Sequence, residues 1–181
     1  MLRAFVGTLQ QGRTQELVDQ TCLIAAVASA VGAWEGYLEG VLKEFVAKTR
    51  VFAQSRAWPL IAQFEVMVQK ATNALNTPNW DKSREILIHV AGVDPYASWI
   101  WAPKFSSQPD TKEFFDGLMA VRHSFAHGFA VPSNIKELGQ GGRLTVVYAG
   151  EVLDCLQFFA SATDQLLEHE LKYKHGSPAG W

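Results

Sequence analysis

The strongest constraint on this 181-residue chain is a proline-free run from Thr14 to about Lys48 whose apolar residues return every three or four positions. Leu17, Leu23, Ile24, Val27, Val31, Trp34, Leu38, Leu42 and Phe45 follow that spacing. A 3.6-residue period gathers such positions onto one face, so the run predicts a single long helix. Its apolar stripe has to be covered by further elements. Gly32 and Gly36 lower the local helix propensity, yet small residues there let another helix come close.

The remaining segments also read as helices. A second one begins near Ala57-Trp58-Pro59, with proline in the first turn where its missing N–H does no harm, and runs through Ile61, Phe64, Val68 and Leu75. Asn76-Thr77-Pro78-Asn79 breaks it, and Asn79 is suited to cap a short helix from Trp80 to Gly92. Asp94 to Pro109 holds three prolines with Tyr96, Trp99, Trp101 and Phe105, an aromatic-rich loop of the kind that forms interfaces. Asp110 or Thr111 then caps a helix that runs to Gly128. A polar, glycine-rich loop follows from Pro132 to Gly142, and a last helix spans about Thr145 to Tyr173. The cluster Thr145-Val146-Val147-Tyr148 fits a short strand equally well, because β-branched residues favour strands. The expected fold is all-α, a bundle of four to five helices forming one domain over 1–181, with a helical core at about 14–173 and a flexible tail at 174–181.

Composition narrows the functional classes. A hydrophobic fraction of 48% with 19% charged residues suits a globular chain, and six tryptophans with eleven phenylalanines predict an aromatic interior. The net charge of −2 gives no general basic footprint for nucleic acid, so any RNA contact must be local. Cys22 and Cys155 each lie in an apolar helical run and read as small buried hydrophobes, not as a disulfide or metal framework. Residues Met1 to Val6 do not resemble a secretory signal, and the most apolar segment, Cys22 to Trp34, is too short to span a bilayer. A cytoplasmic protein without a membrane partner is expected.

Chemistry concentrates in Val121-Arg122-His123-Ser124-Phe125-Ala126-His127-Gly128. Arginine offers a permanent planar fork for phosphate, and histidine moves protons near neutral pH. At about 100° per residue, Phe114, Leu118, Val121 and Phe125 share one stripe, which should face the core. Arg122 and His127 flank the opposite side, with Met119, His123, Ala126 and Ala130 between them, a weakly apolar border suited to a groove or a dimer seam. The blander reading makes these residues surface positions, with His127 an ordinary helix terminus and Gly128 the residue after it. Another reading takes His123 and His127 as a metal pair. Zinc proteases place a glutamate after the first such histidine, where this chain has Ser124, and a third ligand would have to come from Glu35, His89 or Asp116. Arg122 beside the pair opposes a cation. The set points to metal-free chemistry, and no cofactor is expected. Glu35 interrupts the first helix between Trp34 and Leu38, either paired with Arg122 or a histidine, or turned to solvent one residue off the stripe.

Arg122-x4-His127, with a polar residue after the arginine and a glycine after the histidine, resembles the R-x4–6-H motif of the HEPN superfamily. Ala33-Trp34-Glu35-Gly36-Tyr37-Leu38-Glu39 is similar to the Trp-Glu segment of its RiboL-PSP-HEPN-like branch, and Asn76-Thr77-Pro78-Asn79 to that branch's Asn-Thr-Pro turn. The three segments keep their order and separation, and the resemblance covers about residues 14 to 170. It implies a helical bundle, usually a homodimer with the two motifs facing across the interface. It further implies a metal-independent endoribonuclease, often a toxin or phage-defence effector, and an antitoxin or regulatory protein is an expected partner. Other members are non-catalytic modules that bind nucleotide, RNA or a partner protein. By position Arg122 and His127 match the catalytic pair. His123 stands where relatives often carry asparagine or aspartate, and with Glu35 is assigned a supporting role.

Overall fold

The computed structural model describes residues 11–50, 58–75, 78–128, 131–138 and 142–175. Among them five α-helices and one 3₁₀ turn occur: α1 Gln11–Arg50, α2 Trp58–Asn73, α3 Trp80–Ala91, the turn Pro95–Ala97, α4 Gln108–Ala126 and α5 Val146–Lys174. The all-α expectation holds, and no β-strand occurs among the described residues. Asn76 and Thr77, half of the Asn-Thr-Pro turn, and 176–181, most of the tail expected to be flexible, lie outside the described residues.

Helix α1 is the axis. Val27, Val31, Trp34, Leu38, Leu42 and Phe45 are buried along one side, as the spacing requires. Three contacts show that α1 and α5 run parallel. The Gln20 amide donates to Leu144 O at 2.8 Å and accepts from Leu144 N at 2.9 Å, just ahead of α5. Farther along, the Tyr37 hydroxyl contacts Ala160 O and Asp164 Oδ1 at 2.8 and 2.7 Å. Near the far end, the rings of Phe45 and His175 meet at 5.9 Å.

Local caps explain most of the boundaries. Asn79 accepts from Lys82 N and starts α3 as expected, and Gly92 closes it in the left-handed conformation with φ 69°. For α4 the cap is Ser107, whose hydroxyl accepts from Asp110 N, with Pro109 in the first turn. The expected cap at Asp110 or Thr111 therefore shifts by three or four residues. Asp110 instead occupies the positive first turn, and buried Thr111 turns its hydroxyl back to Ser107 O. Thr145 caps α5 by accepting from Tyr148 N, which resolves the strand-or-helix ambiguity at Val146-Val147 in favour of helix.

The loop at 94–109 departs most from expectation. Trp99 and Trp101 are buried, Phe105 is half-buried against the core, and only Tyr96 of the four aromatics is exposed. They are interior residues carried on irregular backbone, so aromatic content had suggested an interface where a core was being filled. Arg84 clamps the start of this segment, bonding both oxygens of Asp94 at 2.7 and 2.6 Å and lying over Tyr96 at 4.8 Å. That guanidinium holds the Asp94 carboxyl below its ordinary range.

Cys155 is buried, with burial pushing its thiol well above the usual range, whereas Cys22 is exposed and so does not match its expected interior place. A helical stripe fixes only which residues face inward, and Cys22 falls off it. Over Gln15–Thr49 α1 is long and apolar enough to cross a membrane, since the helix continues past the Cys22–Trp34 segment through Glu35 and Glu39.

Trp80 is 1% exposed and meets Trp99, Phe115 and Phe159 at 5.3, 5.9 and 5.7 Å between ring centres. Trp80→Ala should cost about 3–5 kcal/mol of stability through lost burial and the cavity left behind. Urea unfolding followed by far-UV circular dichroism measures this, and a loss below 1 kcal/mol would contradict the central packing described.

Candidate functional site

Helix α4 carries Arg122 and His123 near its C-terminal end with His127 as its cap, while Glu35 lies on α1. Thr111, Phe114, Phe115, Leu118, Met119, Val121 and Ser124 form the buried side of α4. The expected stripe thus holds through Val121 and then fails at Phe125, which is 40% exposed. Register decides which way a side chain faces, not whether another element extends far enough to cover it. Ser124 is buried instead, and its hydroxyl donates to Val121 O at 2.7 Å. Met119 is also buried, which removes it from the border expected between Arg122 and His127; Ala130 lies outside the described residues.

Arg122 is half-buried and, among the described residues, has no hydrogen-bond or ion-pair partner. His123 and His127 are exposed one turn apart, with ring centres 4.3 Å from each other and planes at 46°. His127 is not in the helix proper. It is the C-cap, with φ −118° and ψ 22°, and its N–H donates to Ser124 O at 3.2 Å. Gly128 follows with φ 105°, a conformation that L side chains rarely adopt.

The structure brings the two histidines together and leaves the other two residues apart from them. Arg122 and His127 are five positions apart, so they diverge around the helix, and no hydrogen bond or ring contact joins them. Glu35 is half-buried beside buried Trp34, on a helix packed against α4, and makes no hydrogen bond or ion pair among the described residues. Of its two readings, the one that sets it one residue off the stripe describes its position. Neither Glu35, His89 nor Asp116 joins the histidines, and no group of three or more His, Cys, Asp or Glu among the described residues is arranged to hold a metal ion.

Sequence reasoning missed a cleft of about 300 Å³ on the same helix, lined by Glu113, Asp116, Gly117 and Ala120 and closed by Ile135 and Lys136. It forms because the loop after α4 folds back, with Lys136 Nζ on Glu113 Oε2 at 2.7 Å. Partial burial raises the Asp116 carboxyl above its ordinary range, against the lowering pull of Lys112. The sequence signal was Gly117, where an added Cβ would sit 3.3 Å from Ile135 Cγ2.

No family model matches this chain, and neither a curated protein nor a solved structure matches it. The candidate site therefore stands on its own geometry.

The backbone just after His127 depends on glycine. Gly128→Ala has open space for its methyl but strains the backbone at φ 105°, with an expected loss of about 1–2 kcal/mol. Chemical denaturation measures the loss, and an unchanged midpoint would show that the turn relaxes freely.

Proposed function

We propose that this protein is a metal-independent endoribonuclease of the HEPN type, working as a homodimer in the cytoplasm, in the role of a toxin or phage-defence effector. The observation that carries this reading is the half-buried guanidinium of Arg122, without a hydrogen-bond or ion-pair partner among the described residues, at the same helix end as two exposed imidazoles. A cation removed from water in part, without a carboxylate beside it, is complementary to an anion such as a phosphodiester. The imidazoles supply proton transfer at the same end.

In the proposed reaction the ribose 2′-OH attacks the adjacent phosphorus while a histidine takes its proton. The bond from phosphorus to the 5′ oxygen breaks, and a second proton donor protonates that oxygen. The products are a 2′,3′-cyclic phosphate and a 5′-OH end. Arg122 holds the phosphate and stabilises the charge that grows on it. His127 is one proton-transfer group, and the same residue of a second copy is the other. His123 orients His127 through their ring contact, whereas Glu35, which makes no hydrogen bond or ion pair among the described residues, has no part in this step.

A second reading is a non-catalytic module that binds nucleotide, RNA or a partner protein such as an antitoxin. The aromatic loop no longer supports it, because Trp99 and Trp101 are interior. A different surface does, since Leu60, Val66 and Met67 stand exposed on α2.

Incubation of total RNA with the purified protein in EDTA tests the first reading. Wild type should cleave, and Arg122→Ala and His127→Ala should each lose about 10²–10⁴-fold in rate, the scale of a lost acid–base group. Matching circular dichroism spectra and dimer masses keep folding out of the comparison. Undiminished cleavage by either folded variant would reject the mechanism, and a folded wild-type dimer that leaves RNA intact would favour the binding module.

A further inference from the structure

Two imidazoles one helical turn apart have the spacing to share one ion. The His123 and His127 ring centres are 4.3 Å apart, both side chains are exposed, and neither has a hydrogen-bond partner among the described residues. A nitrogen-to-metal bond of about 2.0–2.1 Å puts each ring centre about 3.2 Å from the ion, so two imidazoles on adjacent coordination positions have centres about 4.5 Å apart. The observed spacing differs by a few tenths of an ångström, within reach of a small rotation about side-chain bonds. The other three histidines have other neighbours: His89 lies by Glu85 at 3.8 Å, His169 by Tyr173 and His175 by Phe45.

The surroundings favour a cation at this place despite Arg122. His123 lies in the last turn of α4 and His127 caps it, where the negative end of the helix dipole attracts positive charge. Arg122 leaves the helix about 100° around from His123, and at an exposed end its repulsion is screened by water. The donors are two neutral nitrogens without a carboxylate, a set that suits copper, nickel or zinc and not magnesium or calcium.

We propose that His123 and His127 form a two-nitrogen site for a divalent first-row transition metal ion, holding Cu²⁺ most tightly and completing its coordination with water. This site stands independently of the ribonuclease reading. Where that reading holds, a bound ion takes the His127 lone pair and blocks proton transfer.

Titration of the full chain with Cu²⁺, read by calorimetry and by nitrogen hyperfine structure in electron paramagnetic resonance, tests the proposal without RNA. One equivalent should bind with two equivalent nitrogens. His123→Gln and His127→Gln should each weaken it by about tenfold or more, the scale on which even outer-shell partners of a metal matter, while His169→Gln should leave it unchanged. Both variants alter exposed side chains, and circular dichroism checks their fold. Binding that persists at wild-type strength in either variant, as at the N-terminal amine, would overturn the proposal, as would a one-nitrogen signature. Because RNA is absent, failure here leaves the ribonuclease test untouched, and the reverse also holds.

Discussion

Five aromatic rings carry the architecture. Trp34 of α1, Trp80 of α3, Trp99 of the irregular segment, Phe115 of α4 and Phe159 of α5 meet in eight pairs with ring centres no more than 6.2 Å apart, each edge-to-face or tilted. Such pairs add about 0.5–1.5 kcal/mol each beyond the area they bury. Each ring comes from a different segment, so one cluster fixes four helices and a loop together. Two of its polar handles are satisfied inside. The Trp34 indole N–H donates to Ser83 Oγ at 3.3 Å, and that of Trp99 to Thr163 Oγ1 at 3.1 Å. Because an indole N–H left unpaired in the interior is costly, these bonds favour particular ring orientations where hydrophobicity alone would not.

This centre explains why the candidate site lies where it does. Phe115 anchors α4 in the cluster, and the helix runs on for eleven residues to Ala126. Leu118 and Val121 extend the packing, after which burial thins and the last turn reaches solvent. Rigid placement near the root and exposure at the tip suit a site that must meet a large partner, since a binding group fixed on a packed helix loses little freedom on engagement.

The sequence was most legible where periodicity and caps agree. The long first helix, the Asn79 cap and the last helix all follow from residue spacing and side-chain chemistry. It was least legible where tertiary covering decides the outcome. Trp99 and Trp101 sit among prolines and carry no period, so nothing local distinguishes a buried aromatic loop from an exposed one. The same limit applies at Phe125 and Cys22. At the site, the spacing of His123 and His127 sufficed to predict neighbours on one face, and their rings do meet. Whether Glu35 reaches Arg122 depends on the relative phase of two helices, which no single-helix pattern encodes.

The separation of Arg122 from His127 constrains any chemistry proposed for them. Five residues advance a helix by about 500°, leaving the two directions about 140° apart. Two side chains so placed cannot grip one small group from the helix flank. His127 escapes part of this divergence, because as the C-cap it has left helical geometry and stands at the end of the cylinder. A group that meets both side chains must therefore lie over the helix terminus and not against its flank. Such a terminus contributes carbonyl oxygens, which disfavour an anion there. A phosphate held there needs more positive charge than one Arg122 supplies, and a second copy presenting the same helix end would bring it. The electrostatics of a helix C-terminus thus support the proposed dimer, as does the proposed need for two proton-transfer groups.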